Sequence, residues 1–254
     1  MAVPAPVLPA FYRLLAFDSL PSTMDECRRA AADGAPEGLL VWALEQTAGR
    51  GRRGRSFLSP PGNLYLSLLL RPGGSVADGA QLGFVAAVAL AEAVAELLPD
   101  GARRVRLKWP NDLLIDRAKA SGILLEGQPM PGGRLDWIIL GIGVNVASHP
   151  ADTPYPATSL AAAGGSAGPS ELLARFAARF VAWHAVWTRE GFGPIRHAWL
   201  ARAAGLGEAI TVRLPQETLQ GRFADLDDTG ILWVELAGGG RRAVATGDLY
   251  FPAG

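Results

Sequence analysis

Cysteine occurs once in the 254 residues, at Cys27, so no intrachain disulfide and no cysteine-held metal cluster can form. Histidine is nearly as scarce. His149, His184 and His197 stand apart among neighbours that are not metal ligands, so a structural metal is not expected. Only two of the 24 basic residues are lysine, Lys108 and Lys119, and asparagine occurs only at Asn63, Asn111 and Asn145. Neither charge is in excess: with a formal net charge of zero, no global field draws the chain to nucleic acid or an anionic membrane, and any basic function has to be local. An uninterrupted apolar run of membrane length is also missing, because Glu92 and Glu96 break the best candidate, residues 83–98. The proline-rich start, residues 1–11, has no basic segment leading into an apolar one and does not read as a signal peptide. A cytoplasmic address is the expectation.

What is present is a chain 49% hydrophobic and 19% charged, enough for a substantial core in one large domain or a large one plus a small one. A helix is predicted after Ser22-Thr23, natural N-cap residues, with a stop at Gly34. Residues 39–44 and 63–70 read as strands, residues 49–62 as a loop, and residues 82–98 as the best helix. Short strands at 105–109 and 113–115 are broken by Pro110, and 113–115 is expected to form a hairpin with 123–126, residues 117–121 being its turn. Residues 137–141 are a further strand, 149–169 irregular chain, and 171–189 a helix whose Phe176, Phe180, Trp183 and Trp187 form a core face. From residue 204 onward short strands and turns predict a small all-β barrel, so the division expected is 1–203 and 204–254.

Three segments carry candidate chemistry. In Gly49-Arg50-Gly51-Arg52-Arg53-Gly54-Arg55 four arginines alternate with three glycines. Glycine lets the backbone approach a ligand, and arginine forks match phosphate or carboxylate oxygens. A solvated or RNA-binding basic loop is the bland alternative, but aromatics do not interleave it as in a stacking platform, and an anion clamp for a small ligand fits the neutral chain better. In Lys108-Trp109-Pro110-Asn111-Asp112, followed by Lys119-Ala120-Ser121-Gly122, both lysines and Asn111 fall within twelve residues. A chain so poor in lysine is expected to keep it where a compact ammonium is needed. Asp112 beside Asn111 suits Mg²⁺ on a polyphosphate, since that ion takes one or two carboxylates plus substrate oxygens. In Gly141-Ile142-Gly143-Val144-Asn145 no helix and no acidic residue follow at the distance a dinucleotide site needs, so a Rossmann reading is rejected. The glycines still allow a ring to lie close to the backbone.

Taken in order, Ser22-Thr23-Met24, Glu45-Gln46-Thr47-Ala48 running into the Gly-Arg loop, Lys-Trp-Pro-Asn-Asp, Lys-Ala-Ser-Gly-Ile-Leu and Gly-Ile-Gly-Val-Asn closely resemble the biotin–protein ligases. Ala157-Thr158-Ser159-Leu160 and Thr246-Gly247-Asp248 also look like that family, so the resemblance covers nearly the whole chain. It implies an α+β catalytic domain like the class II aminoacyl-tRNA synthetase core, with a mixed sheet, followed by an SH3-like barrel. It implies activation of biotin by ATP to biotinyl-5'-AMP and transfer to one lysine of a biotin carboxyl carrier protein, a carboxylase subunit. By the same resemblance Ser22, Thr23 and Gln46 would hold biotin's polar end, Gly122, Gly141 and Gly143 its rings, and Gly49 would also belong to the biotin site. Arg50, Arg52 and Lys119 would sit at the carboxylate and α-phosphate, Lys119 and Arg52 being the catalytic pair. Arg53, Arg55, Phe57, Lys108, Asn111, Asp112 and Asn145 would serve ATP, with Asp112 on Mg²⁺. Phe57 stands where some members carry tryptophan, a mild change.

About twenty residues precede Ser22, too few for the helix-turn-helix of family members that double as repressors, so no operator binding is expected. A monomer or homodimer is expected, with no membrane partner. The Gly-Arg loop is expected to be disordered until it folds over the adenylate. The nearest competitor is a lipoate–protein ligase; a nucleic-acid module is disfavoured because Glu217, Asp225, Asp227, Asp228, Glu235 and Asp248 offset the arginines of the C-terminal part.

Overall fold

Seven strands form one mixed sheet: β1 (Arg13–Leu20), β2 (Leu39–Gln46), β3 (Leu64–Leu70), β4 (Val105–Lys108), β5 (Asp112–Ile115), β6 (Ala118–Pro129) and β7 (Leu135–Val144), in the order β1-β2-β3-β7-β6-β5-β4. β1 runs parallel to β2, and the other neighbouring pairs are antiparallel. The computed structural model describes residues 6–251; the first five residues of the proline-rich start, on which part of the signal-peptide reading rests, lie outside them, as does the stretch 252–254.

Strand alternation sorts the side chains. On β7, Ile138, Leu140, Ile142 and Val144 point to one face, while Trp137, Ile139, Gly141 and Gly143 point to the other. The first face is covered by α2 (Val76–Ala95) and α4 (Pro169–Glu190). The second is covered over part of its width by α1 (Thr23–Ala32), whose Met24, Cys27 and Ala31 form a single stripe against Leu39, Val41, Leu69, Trp137 and Ile139. α1 reaches the glycine end of β7 only through Met24, which packs on Gly141.

By length and composition α2 could cross a membrane, with a mean hydropathy of 1.4 in its best window, yet it is the buried core helix between the sheet and α4. It starts six residues before the predicted onset, because Ser75 and Asp78 close a capping box: Asp78 N donates to Ser75 Oγ at 3.1 Å and Ser75 N to Asp78 Oδ2 at 3.0 Å. A short α3 (Gly101–Arg104) leads into β4.

After α5 (Phe192–Leu200) come β8 (Ala209–Arg213), β9 (Thr218–Leu226), β10 (Leu232–Leu236), β11 (Arg241–Val244) and β12 (Asp248–Tyr250), an antiparallel sheet ordered β11-β10-β9-β8-β12. The two sheets share one core. Phe84 of α2 packs its ring against Phe192 and Trp199, with centroids 5.3 and 5.7 Å away, and Trp199 meets Phe223 of β9. Phe84 also occupies the space that a Cβ on Gly230 would need, and Trp109 Nε1 donates to Gly230 O at 3.3 Å. The connecting chain covers the edge strand β4, since Leu107 N donates to Arg202 O and Ala204 N to Leu107 O.

The β5–β6 hairpin forms with a tighter turn than expected. Asp116 and Arg117 both take left-handed φ, at 49° and 66°, and make the turn. Lys119 therefore stands inside β6 rather than in a turn, and Gly-Ile-Gly-Val lies within β7 instead of beyond it. β1, α5 and β12 were not anticipated from the sequence pattern.

Candidate active site

The open end of the sheet floors a cleft of about 1050 Å³, its mouth included. Gly122 of β6 pairs directly with Gly143 of β7, and Gly141 lies two residues along the same face. Packing demands glycine at two of these three positions. A Cβ on Gly141 would come within 2.7 Å of Met24 Sδ, and one on Gly143 within 2.6 Å of the Phe57 ring. At Gly122 the space is free, with Lys119 Nζ at 3.6 Å.

At one end of the floor lies a neutral polar network. Gln46 Oε1 accepts from Thr23 N at 2.8 Å and from Thr23 Oγ1 at 3.0 Å. Ser67 Oγ donates to Thr23 Oγ1 at 2.9 Å, and Gln46 Nε2 donates to Ser59 Oγ at 3.1 Å. Ser22 and Thr23 are buried at the start of α1. These bonds fix the side-chain orientations, so an amide-like ligand would meet donors and acceptors already aimed.

At the other end the charges gather. Lys119 Nζ is 2.6 Å from Asp112 Oδ1, and Lys108 Nζ is 3.8 Å from Asp112 Oδ2. β4, β5 and β6 place this trio, with Lys108 and Asp112 paired across the β4–β5 hairpin and Lys119 reaching in from β6. Tyr155 lies 5.8 Å from Lys108 Nζ and 5.3 Å from Lys119 Nζ, measured to the ring centre, and Tyr250 lies 5.5 Å from Lys108 Nζ. Burial lowers the pKa of Lys108 below the usual lysine range; Asp112 opposes that, and Lys119 adds to it. Asn111 accepts from Arg52 Nη1 at 3.1 Å and donates to Ile123 O at 2.6 Å.

The Gly-Arg loop follows a hydrogen-bonded path. Gly51 N donates to Arg55 O at 2.7 Å, Phe57 N to Gly49 O at 2.9 Å, and residues Arg52–Gly54 form a 3₁₀ turn with Arg53 at φ 57°. Its arginines are held by protein carboxylates, Arg50 by Asp25 of α1 and Arg52, Arg53 and Arg55 by Asp248 of β12. Burial lowers the Arg52 pKa, with Asp248 pulling it back.

The cleft brings together Ser22, Thr23, Gln46, Arg50, Arg52, Arg55, Phe57, Lys108, Asn111, Asp112, Lys119, Gly122, Gly141 and Gly143. Three expected residues lie outside its lining. Gly49 sits behind it, where a Cβ would strike Phe57 O and Ser59 Oγ at 2.5 Å. Arg53 turns to Asp248, and Asn145 spends its side-chain amide on Thr158 O at 3.0 Å, fixing the chain that carries Tyr155. Tyr155, Tyr250 and Asp248 line the cleft without having been singled out for it. Among the described residues no three of His, Cys, Asp and Glu come together to hold a metal. The arrangement suits a ligand with a flat ring system, a polar amide-like end and an anionic end, beside a second, polyanionic one.

Comparison with known proteins agrees with that chemistry. The chain is 40% identical over 227 residues to the biotin–[acetyl-CoA-carboxylase] ligase of Paracoccus denitrificans, covering 87% of this chain and 93% of that protein. It is 36% identical to the bifunctional ligase/repressor BirA of Bacillus subtilis, over 87% of this chain and 69% of that one. The solved structure of biotin protein ligase from Aquifex aeolicus in complex with biotin and ATP superposes with a TM-score of 0.77 at 27% identity, covering 93% of this chain and 97% of that chain. Residues 205–251 match the biotin protein ligase C-terminal domain. With residues 16–145 matching the family itself, the chain belongs to the biotin/lipoate A/B protein ligase family.

Proposed function

We propose that this protein is a biotin–protein ligase, which joins biotin to ATP as biotinyl-5'-AMP and passes the biotinyl group to one lysine of a biotin carboxyl carrier protein. The observation that carries the reading is the cleft itself: the Thr23–Gln46 network, the glycine floor and the Lys119–Asp112 pair under the Gly-Arg loop line one space. The names of its relatives support biotin over lipoate.

In the first half-reaction a carboxylate oxygen attacks the α-phosphorus and pyrophosphate leaves. Two anions must be brought together, so catalysis consists of positioning and charge neutralisation. Lys119 and Arg52 are the groups placed to do that, with Arg50 at the carboxylate side and Lys108, Asn111 and Arg55 toward the nucleotide. Phe57, beside Gly143, closes the adenine side. In the second half-reaction the acceptor amine attacks the acyl carbon, AMP leaves, and the amine loses its proton. Neither step needs a protein nucleophile.

Mg²⁺ fits as an ion that arrives on ATP. Asp112 offers one carboxylate at the cleft, beside Asn111, which matches the ion's preference for few protein ligands plus phosphate oxygens. There it would screen the phosphate charge. We further read residues 1–203 as a class II synthetase-like catalytic domain and 204–254 as an SH3-like one, a division supported by the two separate sheets. ATP as co-substrate favours a cytoplasmic enzyme.

The test is biotin-dependent exchange of labelled pyrophosphate into ATP, for wild type and Lys119→Ala, with lipoate as the alternative acid. Exchange with biotin alone, reduced about a hundredfold or more in the variant, is expected for a lost charge contact to the transition state. Exchange with lipoate alone would reassign the substrate, and none with either acid would remove the ligase reading.

A further inference from the structure

We propose that Asp248, on the last strand of the C-terminal sheet, is a positioning residue for ATP: its carboxylate holds the arginines of the Gly-Arg loop where the nucleotide phosphates meet them. The proposal rests on the adenylation reading above. Asp248 Oδ2 is 3.1 Å from Arg53 Nη1 and 3.0 Å from Arg55 Nη2, and its Oδ1 is 3.7 Å from Arg52 Nη1. Arg52 Nη1 also donates to Gly247 O at 3.3 Å, and its Nη2 to Thr246 Oγ1 at 3.5 Å. A loop between β2 and β3 is thereby tied to a strand almost two hundred residues later. At its near end Arg50 is tied to Asp25, so the loop is pinned on both walls of the cleft.

Isolated surface ion pairs contribute little. This one differs in two respects. The Asp248 side chain is only 18% exposed, and three guanidinium groups converge on it, two of them by hydrogen bonds to Oδ2. The loop it restrains is also costly to order, because three glycines interrupt it and Arg53 stands in the left-handed region, which a non-glycine side chain leaves unless held. The Asp248 contact supplies that hold. Two residues along β12, on the same side of the strand, Tyr250 lies over Lys108, so one short strand touches both the arginine and the lysine groups of the phosphate end.

An acidic residue at a polyphosphate site could instead repel the nucleotide. Here the carboxylate is ringed by three guanidinium groups, so an approaching phosphate meets a net positive cluster, and the restraint outweighs the repulsion. Without Asp248 the nucleotide would have to order the loop itself, and its apparent affinity would fall.

Asp248→Asn keeps the size and removes the charge, and Asp248→Glu keeps the charge. Pyrophosphate exchange would give KM for ATP and for biotin, calorimetry the binding of ATP alone, and timed trypsin digestion the exposure of the loop arginines. In Asp248→Asn, KM for ATP should rise about tenfold, the scale of one charge-assisted contact. KM for biotin should rise much less, the unfolding temperature should hold, cleavage at the loop should quicken, and Asp248→Glu should recover most of the loss. An ATP KM unchanged or lowered in Asp248→Asn would overturn the proposal. So would an equal loss for both substrates together with a lower unfolding temperature, which is the signature of a merely structural residue. If wild type showed no biotin-dependent exchange, the adenylation reading would fail by itself, while ATP binding and digestion would still judge Asp248.

Discussion

Lys108 sits between two tyrosine rings, beside a second lysine, and buried enough that its ammonium loses its proton more easily than an exposed one. The sign follows from that direction. Well below its folded pKa, Lys108 is charged in both folded and unfolded chains, and the cost of burying the charge is present in full. As pH rises through the folded pKa toward the ordinary lysine value, the folded form sheds the proton and the cost is relieved, but the charge that would meet phosphate is lost. The expected result is an alkaline fall in kcat/KM for ATP, a free-enzyme parameter, beginning below the ordinary lysine range. Lys108→Arg should move that fall to higher pH, and a limb that stays in place would mean another group titrates. Lys108 and Lys119 were legible because lysine is so rare in this chain. Tyr155 was not: it comes from irregular chain and reaches the lysines only because Lys119 N donates to Pro156 O and Thr158 N to Lys119 O. Nothing in local periodicity encodes such a contact.

At the scale of elements, β6 and β7 carry the floor, and their glycines separate packing from ligand contact. Gly143→Ala would push a methyl into Phe57, whereas Gly122→Ala places one in ordinary contact with Lys119 Nζ. Gly122→Ala should leave stability unchanged or raise it by roughly 0.5–1 kcal/mol, as alanine for glycine does within a strand. It should raise KM for biotin several-fold, about 1 kcal/mol for a crowded ring. Thermal unfolding and exchange kinetics on the same variant check the two halves, and unaltered biotin kinetics would take Gly122 off the floor. Strands with buried faces were readable from their apolar runs. β1 was missed because it is a half-exposed edge strand whose burial does not alternate strictly, and α5 because Gly193 and Pro194 look like breakers although a first helical turn has no use for the N–H that proline lacks. The early start of α2 was written in Ser75 and Asp78, a capping pair that glycine-rich surroundings obscured.

At the scale of the molecule the two sheets share aromatic contacts through Phe84, Trp199 and Phe223, and polar ones through Trp109 and Asp248. A change in sequence character near residue 204 marked where the second sheet begins, but not that its aromatic residues complete the first core, since such contacts join distant stretches. One cooperative unfolding transition is therefore expected, with calorimetric and van't Hoff enthalpies equal; two resolved transitions would show that the interface is too weak to couple the sheets. The same architecture has a consequence for the outer surface. Its cationic side chains are arginine throughout, while both lysines lie in the cleft with side chains only 14% and 21% exposed. Acylating and aldehyde reagents that favour primary amines thus find few targets outside the chain's first residue, and a reagent small enough to enter would report on the cleft. Protection of those two positions by ATP or biotin would map occupancy directly, without a mutation.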